Sequence, residues 1–128
     1  MATQIVPHPK LKADTAIHVG AWILQLGLAS FIGFVGWKKV TGDPLMVQTF
    51  GAIGFGQWLR FLTGTLELIG AIGLLIPRIS AYAAILIAMV MTGAVATHLF
   101  LLGGSPVLPL FLGVVALFIA WFRLQVSR

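Results

Sequence analysis

Four long apolar runs, separated by short polar breaks, constrain this chain more than any other feature. They cover residues 17–37, 58–76, 79–102 and 107–122. Each is close to the ~17–25 residues that an α-helix needs to cross ~30 Å of hydrocarbon. Lipid offers no water to unpaired backbone groups, so a spanning segment is either a helix or a strand of a closed barrel. Four segments are too few for a barrel. The predicted fold class is therefore all-α: a polytopic transmembrane four-helix bundle.

Composition agrees. Of the 128 residues, 59% are hydrophobic and 9% charged, with a mean hydropathy of +1.06. A soluble domain carries about 25% charged residues, so this chain cannot cover a water-facing surface. The length suits one domain over residues 17–123, preceded by an extramembrane tail over residues 1–16. Pro7 and Pro9 in that tail, and the length of the run behind it, argue against a cleavable signal. There is no cysteine, which removes disulfides, thiolate metal sites and dithiol chemistry.

The breaks set the connections. Pro77-Arg78 leaves only a tight antiparallel turn between the second and third helices. Gly103-Gly104-Ser105-Pro106 closes the third, and Pro109 is tolerable in the first turn of the fourth. Residues 38–57 form a longer link. Thr41-Gly42-Asp43-Pro44 is a turn signal within it. Residues 45–55 are too apolar for a solvated loop. They read either as a short interfacial or re-entrant helix between helices 1 and 2, or as a collapsed apolar loop.

Net charge is +5, with the basic residues near segment ends. That pattern fits membrane anchoring and contact with lipid head groups; a nucleic-acid partner would need a clustered basic face. With four spans, Lys10, Lys12, Arg78, Arg123 and Arg128 share one side, against Lys38, Lys39 and Arg60 on the other. The positive-inside rule then puts both termini in the cytoplasm. Trp22, Trp37, Trp58 and Trp121 lie near segment ends, as an interfacial aromatic belt requires.

Within the second run, Arg60, Thr63, Gly64, Glu67, Gly70, Ala71 and Leu74 recur in steps of three and four, giving one small and polar helix face. Small residues let membrane helices approach closely, so this face points into the bundle. Glu67 sits at its centre. A carboxylate at that depth costs at least about 2.5 kcal/mol and needs a partner, a proton or a task. Its functional reading is proton relay or hydrogen bonding to a ligand. Its structural reading is an interhelical hydrogen bond from a neutral carboxyl. Gln25 of the first run and Thr63 are expected near it, with Lys38, Arg60 and His98 at the outer mouth. Lys38, Lys39 and Arg60 also serve as snorkelling anchors, and His98 as an interfacial polar residue. No spacing groups His8, His18 and His98 into a metal site. Only three acidic residues exist, Asp14, Asp43 and Glu67, so paired-carboxylate chemistry inside the membrane is unavailable. A stand-alone enzyme is not expected.

The segment from Phe31 through Gly33, Gly36 and Trp37 to Lys38 resembles the end of the first helix of the DoxX-like family. Gly64, Glu67, Gly70, Gly73, Pro77 and Arg78 resemble its second helix, and an Ala- and Met-rich third helix ending near His98 fits as well. The resemblance covers roughly residues 31–102 and matches the family pattern at Glu67 and Lys38. It implies a small bacterial-type inner-membrane protein that acts as a quinone- or lipid-binding accessory subunit of a membrane oxidoreductase system. It equally admits a non-catalytic assembly or scaffold subunit docked to a larger complex or to further copies of itself. The expected contacts are membrane lipids, a hydrophobic small molecule such as a quinone, and a protein partner.

Overall fold

Helix breaks fall where the backbone cannot continue or where a side chain caps it. The computed structural model describes residues 9–126; residues 1–8 of the expected tail, and Arg128, lie outside them. In chain order the elements are α1 (Pro9–Thr41), α2 (Pro44–Ile53), α3 (Trp58–Leu74), α4 (Ser80–Thr97) and α5 (Val107–Val126). A π-helical turn, His98–Leu102, continues α4. Among the described residues there is no strand.

The all-helical class thus holds; among the described residues there are five α-helices, where the sequence predicts four spanning helices and leaves a short one between the first two open. The extra one is α2, and its ends explain it. The Asp43 side chain accepts a hydrogen bond from the Leu45 N–H at 3.2 Å, and Pro44 occupies the first helical position. An Asp cap followed by a proline that has no N–H to waste starts a helix as readily as it makes a turn. At the other end Gly54 adopts φ 87° and donates to the Phe50 carbonyl at 3.3 Å, the left-handed stop that glycine supplies without strain. Of the two readings of residues 45–55, the helix is the one realised.

The remaining helices pack in a ring. α1 lies against α3, α3 against α4, α4 against α5, and α5 returns to α1. The α3–α4 connection is the expected tight turn, closed by Ile76 N–H to the Gly73 carbonyl (3.1 Å) and Ile79 N–H to the Ile76 carbonyl (3.1 Å). Segments Asp14–Thr41, Ser80–Leu102 and Val107–Gln125 are long and apolar enough to cross a membrane. α3 falls short of that standard. Its 17 residues rise about 25 Å, and it carries both Arg60 and Glu67.

The core is built from small and medium side chains: Ala29, Ile32, Ala71, Leu74, Ala84, Ile87, Met91, Ala116, Ile119 and Ala120. Meanwhile Ile23, Phe34, Ile72, Met89, Phe100, Phe111 and Leu117 stand exposed around the outside. A soluble monomer does not present so continuous an apolar surface. Lipid is the solvent that accepts it.

Gln25 ties three helices together. Its Nε2 donates to the Leu74 carbonyl at the end of α3 (2.8 Å), and its Oε1 accepts from Arg123 Nε of α5 (2.5 Å). Replacing Gln25 by leucine strands a carbonyl and a guanidinium N–H. The expected cost is about 1–3 kcal/mol, seen as a lower midpoint of thermal unfolding in detergent.

Candidate functional site

The buried face of α1 runs through Ala21, Gln25, Leu28, Ala29, Ile32 and Gly36. The next step of three lands on Lys39, not Lys38. Lys39 Nζ lies 2.6 Å from Glu67 Oε1, an ion pair whose side chains are 14% and 1% exposed. Close helix approach makes this contact possible. A Cβ placed on Gly36 would stand 2.9 Å from the Gly64 carbonyl oxygen and 3.1 Å from Glu67 Cβ. One placed on Gly64 would stand 2.8 Å from Lys39 Cβ. Two glycines, one on each helix, therefore bring the α1 and α3 backbones near enough for a lysine to reach the middle of α3.

A second layer sits on this pair. Arg60 donates through Nη1 to the Lys39 carbonyl and through Nε to Gln57 Oε1 (2.8 Å), while its guanidinium lies 4.2 Å from the Phe61 ring centroid. Gln57 in turn donates from Nε2 to the Val47 carbonyl of α2 (3.1 Å). The Phe50 ring of α2 is buried 5.7 Å from Lys39 Nζ. Helix α2 is thus fastened beside the ion pair by one ring contact and one side-chain hydrogen bond. Glycines of positive φ flank it, Gly42 (81°) before and Gly54 and Gly56 (87° and 96°) after.

The other expected residues are distributed differently. Lys38 turns outward, with Nζ 5.2 Å from the Phe34 ring one turn earlier. Thr63 returns its hydroxyl to its own helix, donating to the Leu59 carbonyl at 2.9 Å. His98 Nδ1 meets the Ala94 carbonyl at 2.9 Å, and the π-helical turn that it opens packs on α2. Gln25 is not part of this cluster. It bonds Leu74, seven residues beyond Glu67 and about 10.5 Å further along α3. Lys38, Arg60 and His98 were expected at the mouth above Glu67; the residue that pairs with it is Lys39. Its signal was the α1 periodicity described above, which also turns Lys38 outward.

Chemically, the site offers one carboxylate and one ammonium, both largely shielded from solvent. Lysine carries three N–H donors, of which Glu67 takes one. The pair can therefore hold a proton, or donate and accept hydrogen bonds to a small polar head group. Among the described residues no group of three or more His, Asp or Glu could hold a metal ion. A separate apolar groove runs between α4 and α5, lined by Met91, Thr92, Pro109, Gly113 and Leu117 among others. None of the expected site residues lines it.

Comparison with known proteins gives one match. The sequence fits the DoxX-like family over residues 23–122. That range is wider than the motifs in the first three runs, and it takes in α2, the Lys39–Glu67 pair and nearly all of α5. No curated protein and no solved structure matches the chain. The matched range and the apolar exterior agree on an integral membrane protein. The chain belongs to the DoxX-like family.

Proposed function

We propose that the chain is an accessory subunit of a membrane oxidoreductase system, and that it binds the polar head of a quinone or lipid at the Lys39–Glu67 pair. One observation carries this reading. A buried ion pair stands at one end of the bundle beneath a short helix with glycine at both ends. Buried pairs are weak stabilisers compared with apolar packing, and ionisable groups at membrane depth mark function by default. In this account the Glu67 carboxylate accepts a hydrogen bond from a quinol hydroxyl or a lipid head-group donor. Lys39 holds the carboxylate in place, and Arg60 fixes the Lys39 backbone. The apolar tail of the ligand leaves toward lipid.

In the same proposal α3 crosses the bilayer as the fourth span, shortened because its polar face is wholly shielded by α1 and α4. The ends bearing Arg78 and Arg123 then face the cytoplasm of a bacterial-type inner membrane, together with Lys10, Lys12 and Arg128 of the sequence. The test is quenching of Trp37 and Trp58 fluorescence by a short-chain quinone in detergent. Wild type should saturate, and Glu67→Gln should weaken binding by about tenfold, the loss of a hydrogen bond to a charged acceptor. Equal binding by both proteins would remove Glu67 from the site.

A second reading, an assembly subunit, draws on the exterior of α1. Gly20 and Gly27 face outward with open space around them, a surface on which another membrane helix could lie closely. It predicts a stoichiometric protein partner and no bound small molecule.

A further inference from the structure

A second cation is held inside the bundle at the end opposite the Lys39–Glu67 pair. Arg123 follows Ala116, Ile119 and Ala120 on the buried face of α5, so its guanidinium turns in toward α1. Its Nε donates to Gln25 Oε1 (2.5 Å), and its central carbon lies 5.3 Å from the Trp22 ring centroid and 5.5 Å from that of Phe122. Its Nη2 is shielded from solvent and makes no hydrogen bond among the described residues. A guanidinium is always charged and presents five N–H groups.

Among the described residues no carboxylate pairs with this charge. The chain has three acidic residues. Glu67 is paired with Lys39, and Asp43 caps α2 at the far end. Asp14 is exposed and lies eleven residues before Gln25, about 16 Å along α1. Arg78, in the exposed turn next to Leu74, adds a further positive charge at the same end. Trp22 lies against Arg123, and tryptophans of an interfacial belt sit at head-group depth. A guanidinium with no carboxylate partner among the described residues is costly alone at that depth and well matched to a phosphate oxyanion, which approaches by the part of this half-buried side chain that is open.

We infer that Arg123, walled by Trp22 and Phe122, is a binding site for the phosphate of an anionic phospholipid head group. The site is independent of the Lys39–Glu67 reading, being fourteen residues, about 21 Å, away along α1. A zwitterionic head group brings its own cation and answers the charge less well.

The test is native mass spectrometry of the whole chain in mild detergent, with equal phosphatidylglycerol and phosphatidylcholine. Wild type should retain one phosphatidylglycerol on the order of tenfold over phosphatidylcholine, as expected for hydrogen bonds between charged groups. Arg123→Gln, with its helical circular dichroism intact, should bring the two lipids to parity, whereas Arg78→Gln should keep most of the preference. Equal retention by wild type, or an undiminished preference in Arg123→Gln, would overturn the inference. Displacement of the lipid by inorganic phosphate at matching concentration would make this a free-phosphate site and would also overturn it. If Arg123→Gln does not accumulate, Arg123→Lys decides. It keeps the charge and loses the planar fork, so the preference should fall several-fold; an unchanged preference would contradict the assignment.

Discussion

Replacing Lys39 by methionine is expected to destabilise the folded protein by about 3–5 kcal/mol, because it leaves the Glu67 carboxylate buried and alone. The substitution removes only the ammonium: the hydrogen bond from Arg60 goes to the Lys39 backbone carbonyl and survives. Restoring the balance should restore stability. A double variant, Lys39→Met with Glu67→Leu, should recover most of the loss or exceed wild type, since well-packed apolar side chains often replace a buried ion pair at no cost. Unfolding in detergent, followed by helical circular dichroism, gives all three values. Such a result would separate stability from function. A pair that the fold can do without, yet the chain contains, is better explained by a ligand than by packing.

The second large effect is steric. Gly36→Ala should cost about 1–3 kcal/mol and pull Lys39 off Glu67, because the added methyl meets the Gly64 carbonyl at 2.9 Å and neither backbone can give way alone. Gly64→Leu should cost more, with its side chain directed at Lys39 and Val40. Gly27→Ala is the matched control. It lies on the same helix with nothing within 4 Å of the new atom, so its effect should stay within about 0.5 kcal/mol. Equal losses at Gly36 and Gly27 would mean that the α1–α3 approach does not set these costs, since helix propensity alone favours alanine at both.

The polar face of α3 could be read directly from the sequence, since spacing in threes and fours fixes a helix face whatever the tertiary fold. Of that face, Arg60, Gly64, Glu67, Gly70, Ala71 and Leu74 are buried, and Thr63 is half-buried. The partner of Glu67 was harder to see. Lys38 and Lys39 are adjacent and both end the first apolar run, yet they point about 100° apart. Only the phase of α1, carried forward from Ile32 and Gly36, selects Lys39. The same rule applied to α5, stepping from Ile119 and Ala120, selects Arg123, which its place at the end of an apolar run presents as a simple anchor. Helix α2 was obscured for another reason. A short, mostly apolar stretch such as residues 45–55 fits a short helix or a collapsed loop equally, and Asp43 with Pro44 signals a turn as well as a helix start. The length of α3 was overestimated because residues 75 and 76 are as apolar as the helix before them, although Leu75 and Ile76 already fold into the turn.

The two ends of the bundle divide the polar chemistry. One end carries an acid–base pair next to a short helix that only a few contacts hold down. The other carries Arg123, which has no carboxylate partner among the described residues. An apolar shell joins them. That arrangement suits a protein that is itself anchored by lipid at one face and meets a ligand or partner at the opposite one.

The most direct measurement is mass spectrometry of gently solubilised wild-type and Glu67→Gln protein, identifying co-purifying small molecules and polypeptides together. A quinone or defined lipid bound one to one in wild type, and lost in Glu67→Gln, is the predicted result. A stoichiometric polypeptide partner with no small molecule in either preparation would contradict it, and would assign the Lys39–Glu67 pair to helix packing within a larger complex.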